Sequence, residues 1–270
     1  MLFRSDRRTL IKTEERAQVE RTVLEEPITV ILSKKGWLRA RNGHGIDVST
    51  LAFKDGDALA TTMECKTTDA VILLGASGKT WTLDAANIPA GRGDGAPVNT
   101  LVHAGGDAVV WMAAVSTPED AARALVMSSS AGQGFLCKLG DLVTKTRAGK
   151  EFMNLAEGAR ANAPVAFAGD AVKLSLAALS SDARLLLFPL DELPLRPNGG
   201  VGVQILALPD KVQLASVAVF DGKVLAVSGV KRKNRATDTI EGRGLKDFAG
   251  KRAQRGRLCD VGFRPDRVGG

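Results

Sequence analysis

The chain has 270 residues, 44% apolar and 25% charged, with a net charge of +7. That is ordinary globular composition, and no run approaches the ~18 uncharged apolar residues of a membrane-spanning helix. No secretory leader pattern opens the sequence. Tyrosine is absent, which excludes a phenolic nucleophile in this chain. Two histidines, His44 and His103, leave almost no material for histidine triads or multi-histidine metal sites. Cys65, Cys137 and Cys259 lie far apart with no C-x-x-C pair. That fits a reducing cytoplasm and argues against a disulfide framework or a zinc site.

Residues 5–26 read as a charged helix or helix-plus-linker: Asp6 can cap it, and Leu10 and Ile11 are nearly its only apolar pair. With so little apolar surface, 1–26 is expected to connect to another part of a longer polypeptide, and 27–270 to form the folded domain. From Pro27 the texture changes to short aliphatic runs separated by Gly, Asp and Asn turns: 28–32, 36–40, 71–74, 79–83, 124–128, 134–139, 174–179 and 184–189. Many short strands at even spacing predict an all-β repeat architecture.

Two half-repeats recur. One is a hairpin with a Ser/Gly turn, at Ser33–Trp37, Ser77–Trp81, Ser130–Phe135 and Ser181–Phe188. The other is a basic, glycine-rich turn beginning at Arg41, Arg92, Arg147, Arg196 and Arg252, with spacings of 51, 55, 49 and 56 residues. That period predicts five four-stranded antiparallel blades in a propeller-like ring.

Charge is distributed unevenly along this repeat. Residues 1–27 hold six basic and six acidic side chains, 28–222 hold 18 and 19, and 223–270 hold 13 and 5. All the excess positive charge therefore sits in the last blade region, interleaved with Leu245, Phe248, Leu258, Val261 and Phe263. Such a block, if folded, is a polyanion contact.

Other motifs are weaker. Gly75-Ala76-Ser77-Gly78-Lys79-Thr80 resembles the end of a P-loop, but Leu73 stands where a glycine is required and Trp81-Thr82-Leu83 continues as a strand. Arg92-Gly93-Asp94 matches an adhesion tripeptide inside the repeated turn, and coincidence is the better reading. The arginine-glycine turn itself is informative: glycine lets the backbone approach a ligand, and Arg beside exposed N–H groups holds phosphate without reading a base. Five such turns around a ring predict contact with duplex DNA, bent around the rim.

These residues also carry a family resemblance. Glu26-Pro27-Ile28-Thr29-Val30-Ile31-Leu32-Ser33, Gly36-Trp37-Leu38-Arg39, Ile88-Pro89-Ala90-Gly91-Arg92-Gly93-Asp94-Gly95, Ala131-Gly132-Gln133-Gly134-Phe135, Thr146-Arg147-Ala148-Gly149-Lys150 and Gln254-Arg255-Gly256-Arg257 resemble the C-terminal domains of the bacterial gyrase A and topoisomerase IV A family, closer to topoisomerase IV. The resemblance spans about residues 7–268. It implies a five-bladed β-pinwheel, a propeller relative whose blades exchange a strand. It implies attachment to the dimeric cleavage core of the family's A-subunit, working with the ATPase, or B-subunit. It implies a non-catalytic module that binds and bends duplex DNA, setting preference in decatenation and supercoil relaxation. It needs no cofactor of its own, the holoenzyme holding ATP and Mg²⁺ elsewhere.

The gyrase box Q-R-R-G-G-K-G is missing from the first blade, where Arg41-Asn42-Gly43-His44-Gly45 stands, and a remnant lies in the last. Strong chiral wrapping is therefore not expected. The expected DNA contacts are Lys35, Arg39, Arg41, Arg92, Arg147, Lys150 and Arg196, with a dense patch of Lys231, Arg232, Lys233, Arg243, Arg252, Arg255 and Arg257. A protein-docking propeller that takes an acidic or condensin-type partner is the alternative. The isolated domain is expected to be a monomer, and the protein to be cytoplasmic and nucleoid-associated.

Overall fold

Apolar runs such as 71–74 and 176–179 do not alternate with polar residues, the signature of strands covered on both faces. The computed structural model describes residues 24–91 and 93–269 and gives the reason. Five antiparallel sheets stand in series, and alternate residues of one strand enter different cores. Val71 and Leu73 belong to the core between sheets 1 and 2, whereas Ile72 and Leu74 belong to that between sheets 2 and 3. Likewise Leu176 and Ala178 face sheet 3, and Ala177 and Leu179 face sheet 5.

Sheet 1 contains Pro27–Ser33, Trp37–Asn42, Leu59–Lys66 and Ala96–Pro97. Sheet 2 contains Ala70–Gly75, Lys79–Asp84, Val109–Val115 and Lys150–Glu151. Sheet 3 is built from Ala124–Ser128, Gln133–Lys138, Val165–Phe167 and Val203–Gln204. Sheet 4 is built from Ser175–Ser180, Arg184–Pro189, Leu214–Phe220 and Arg257–Leu258. Sheet 5 has three strands among the described residues, Val224–Lys231, Asn234–Glu241 and Arg264–Gly269, where four were expected.

The fourth strand of each four-stranded sheet arrives only after the chain has built the next sheet's hairpin. It pairs with the second strand in one register throughout: Trp37 with Pro97, Lys79 with Glu151, Gln133 with Gln204 and Arg184 with Leu258. The third strands form the opposite edge and line a groove across sheets 3 to 5.

Four apolar clusters join the five sheets in a row, and no cluster, hydrogen bond or ion pair among the described residues joins sheet 5 to sheet 1. The outward face of sheet 1 has its own cover instead. Buried Arg39 donates to the Ala52 carbonyl and lies over the Phe53 ring, while Lys54 Nζ sits 3.4 Å from the Trp37 ring centroid. Residues 24–26 are not helical but are tied to sheet 1 through Glu26 N–H to Thr67 and Glu25 to Lys66. The rest of the expected N-terminal helix lies outside the described residues.

Glycine is required where the incoming fourth strand crosses close to its neighbours. Gly199 has φ +75°, and a Cβ there would stand 1.9 Å from the Phe152 carbonyl oxygen. Gly158 has the same φ with open space around it. Gly158→Ala should therefore cost ~1 kcal/mol, the strain of a left-handed residue. Gly199→Ala should cost about 2–4 kcal/mol, since overpacking adds to that strain. Urea-unfolding midpoints of the two variants measure the difference.

Candidate nucleic-acid interface

The basic turns at Arg147, Arg196 and Arg252, and the segment 93–95, each lead directly into the fourth strand of a sheet. They therefore fall on one outer edge of four successive sheets. Arg92, the expected contact in the first of these turns, lies outside the described residues. Arg41 does not belong to this series. It lies on the second strand of sheet 1, paired with Thr29, because the repeat that it resembles in sequence starts half a blade earlier.

Several of the expected contacts are clamps on the fold. Arg39 is 3% exposed, and its guanidinium donates to the Gly93 and Ala52 carbonyls at 2.9 and 2.7 Å. Buried this way it offers no face to a ligand, which corrects its assignment as a surface contact. Arg252 donates through Nη1 to the Gln204 carbonyl and through its backbone to Glu192, tying the last basic turn to sheet 3. Arg147 is exposed but donates to the Thr100 carbonyl at 3.1 Å. Lys150 is half-buried, reaching the Asp141 carbonyl and lying over the Phe152 ring. Half-buried Arg41, Arg196 and Arg252 share an enclosed Nε without a hydrogen-bond partner. Lys35, exposed on the first hairpin turn, donates to the Asp55 carbonyl.

The remaining positions have their charge in solvent. Lys231, Arg232, Lys233, Arg243 and Arg257 are exposed, and their side chains make no hydrogen bond or ion pair among the described residues. Arg255 is exposed with only a 3.8 Å approach to Asp182. Lys231 and Asn234 close a two-residue hairpin in which Arg232 and Lys233 have φ of 47° and 78°. Such turns favour Asn-Gly. Two cations held there carry the kind of local strain that persists at functional positions.

Sequence reasoning missed exposed Lys34 on the first hairpin turn and Lys145 beside Arg147, in a groove with Thr82, Asn87, Thr100 and Thr144. The Ser33–Trp37 turn and the basic turn at Arg147 were the local signals, since each cation lies in or beside a turn that the sequence marks.

Other motifs take structural parts. Gly78 makes the left-handed turn of a hairpin and Ser77 hydrogen-bonds Asp107, so no helix N-terminus follows the P-loop-like string. In the Arg-Gly-Asp tripeptide, the Gly93 carbonyl binds Arg39 and Asp94 approaches Lys54. His44 Nε2 meets the Cys65 carbonyl at 3.0 Å. Among the described residues no three His, Cys, Asp or Glu side chains converge, and no helix is long and apolar enough to cross a membrane.

The family model for the DNA gyrase C-terminal domain, described as a β-propeller, matches residues 124–162 and 175–221. The solved E. coli ParC C-terminal domain superimposes with a TM-score of 0.77 at 31% identity, covering 90% of this chain and 98% of that one. The chain belongs to the family of C-terminal domains of topoisomerase IV A-subunits. The A-subunit of DNA topoisomerase 4 from Neisseria gonorrhoeae is 36% identical over 96% of the chain, and that of E. coli K12 is 32% identical over 98%. The chain spans about a third of the length of these relatives. A gyrase A C-terminal domain, at 16% identity and a TM-score of 0.62, shares the fold.

Burial pushes the Cys65 and Cys259 thiols up to about 11 and Cys137 higher still. A raised thiol pKa keeps the inert neutral form through pH 9, so a disulfide reagent should label native protein slowly at pH 8 and fast in urea. Arg39→Ala should cost about 2–3 kcal/mol, because it leaves two carbonyls without their charged donor. Arg257→Ala should stay within about 0.5 kcal/mol. Thermal denaturation of both variants checks the contrast between clamp and surface charge.

Proposed function

We propose that this chain is the non-catalytic DNA-binding and DNA-bending C-terminal domain of a type IIA topoisomerase, specifically of a topoisomerase IV A-subunit. The single observation that carries this is the placement of positive charge: solvent-facing cations crowd sheets 4 and 5, while basic turns repeat along the same outer edge of the preceding sheets. Exposed Lys and Arg attract phosphates whatever the sequence and release counterions on contact. Lys231, Arg232, Lys233, Arg243, Arg255 and Arg257 form the principal anchor. Arg147, Lys145 and Lys35 are secondary points, and Arg92 and Arg196 are further turn contacts. A duplex bent along the edge gains contacts sheet by sheet.

In the holoenzyme the tyrosine nucleophile and Mg²⁺ belong to the cleavage core, and ATP belongs to the B-subunit. This chain, without tyrosine, positions DNA for them and so sets preference between decatenation and relaxation. Such an enzyme works in the bacterial cytoplasm at the nucleoid.

A gyrase-like wrapping domain is the second reading, favoured by the Gln254-Arg255-Gly256-Arg257 turn on the outer edge of sheet 4. Binding to a mixed-sequence duplex of about 40 base pairs across a salt series, with linking-number analysis of religated nicked circles, separates the two. Each neutralised phosphate contributes about −0.9 to the log–log slope. A slope of several units with little linking change supports bending, a growing linking change supports wrapping, and no salt-dependent binding overturns both.

The strained hairpin supplies a sharper test. Replacing Arg232 by Asn and Lys233 by Gly should raise stability by about 1 kcal/mol, since that turn suits Asn-Gly. The same double variant should flatten the salt slope by up to about two units.

A further inference from the structure

In three sheets, one residue of the second strand exchanges both backbone groups with the incoming chain. Ala40 donates to Pro89 and accepts from Gly91, Leu136 does so with Pro194 and Arg196, and Leu187 with Phe248 and Gly250. The register slip between first and third strands identifies the matching residue of sheet 5. Slips at Leu32/Ser33, Leu179/Ser180 and Ser228/Gly229 stand opposite Leu38, Leu185 and Thr237. Two residues further on are Ala40, Leu187 and Thr239.

Among the described residues Thr239 has no such partner. Its N–H turns to the Asp238 carboxylate of its own strand at 2.8 Å, and among the described residues no main chain pairs with the outer edge of Asn234–Glu241. An unpaired edge of eight residues is a template for a further strand. Its surroundings select the occupant. Residues 231–246 hold six basic side chains against Asp238 and Glu241; Arg235 is paired with Asp266 at 2.7 Å, which leaves Lys231, Arg232, Lys233, Arg243 and Lys246 as the exposed cations. A second copy pairing antiparallel about Asp238 would set two carboxylates side by side, which is repulsive.

We propose that the outer edge of sheet 5 is an acceptor for an extended acidic segment of a partner protein, added as its fourth strand. Backbone bonds at Thr239 supply the alignment. Acidic side chains at the segment's ends meet Lys231–Lys233 on one side and Arg243 and Lys246 on the other. The proposal does not rest on duplex binding, which the same experiment measures separately.

The probe is the synthetic peptide acetyl-EEVTVEE-amide, titrated onto the full 270-residue chain, with a version N-methylated at alternate amides as control. Three results are expected. The peptide binds and slows hydrogen exchange at the Thr239 amide. N-methylation weakens binding about tenfold or more, as loss of two hydrogen bonds requires. Thr239→Pro, tolerable at an edge, weakens it similarly while duplex affinity stays unchanged.

Equal binding of the N-methylated peptide would overturn the proposal in favour of charge attraction alone. Loss of duplex affinity in Thr239→Pro would assign the edge to DNA, and concentration-dependent self-association through it would assign it to a second copy. Should Thr239→Pro fail to fold, the exchange rate of the native Thr239 amide decides the matter.

Discussion

The architecture depends on one backbone exchange. At Ala40, Leu136 and Leu187, a carbonyl and an amide at the outer edge of a finished hairpin are satisfied by chain that has already travelled on to build the next sheet. Buried main-chain groups cannot stay unpaired, so each of these three sheets holds its successor in place. The exchange also dictates where glycine must stand, since the returning strand passes within contact of the one before it, as at Gly199 against Phe152. The basic turns sit on the outer edge because that is where the returning strand begins.

The same exchange explains why the arginines divide into two populations. Returning segments cross the surface with carbonyls to satisfy, and long guanidinium side chains reach them: Arg39 to Gly93, Arg184 to Gly256 and Arg252 to Gln204. A guanidinium held by backbone oxygens keeps its charge but loses the freedom to follow a ligand. Cations without such a carbonyl gather at sheets 4 and 5, and there the hairpin carries Arg232 and Lys233 in a conformation that favours glycine. Local stability is lower there than a better turn would give, which is the usual cost of a working surface.

Much of the fold was legible in the sequence. The Ser/Gly hairpins and the five-fold basic turn located four hairpins and the outer edge, because turn chemistry and strand runs are local signals. The third strands were harder to read: Leu59–Lys66 is largely polar or exposed and carries no apolar run, whereas Val109–Val115 is a continuous apolar run that lacks the Ser/Gly hairpin turn marking the other strands. The phase of the repeat was also misread at Arg41, where an Arg-Gly string copies the turn without its place in the sheet. For the candidate site, the charge could be read from the residues but not its employment. Nothing local distinguishes Arg39, buried beneath Phe53, from Arg257 in solvent, because the carbonyls that decide it arrive from distant residues.

Strand exchange also sets a timetable for synthesis. When the hairpin of sheet 1 leaves the ribosome at Asn42, the segment that completes its outer edge, Ala96–Pro97, is still more than fifty residues from being made. At roughly 5–20 residues per second the edge waits for several seconds, and the same delay recurs at each sheet. The nascent chain thus always trails one incomplete sheet behind the newest hairpin. Pauses in translation near 96, 150, 203 and 257 would lengthen the time for which those edges lie open to other nascent chains.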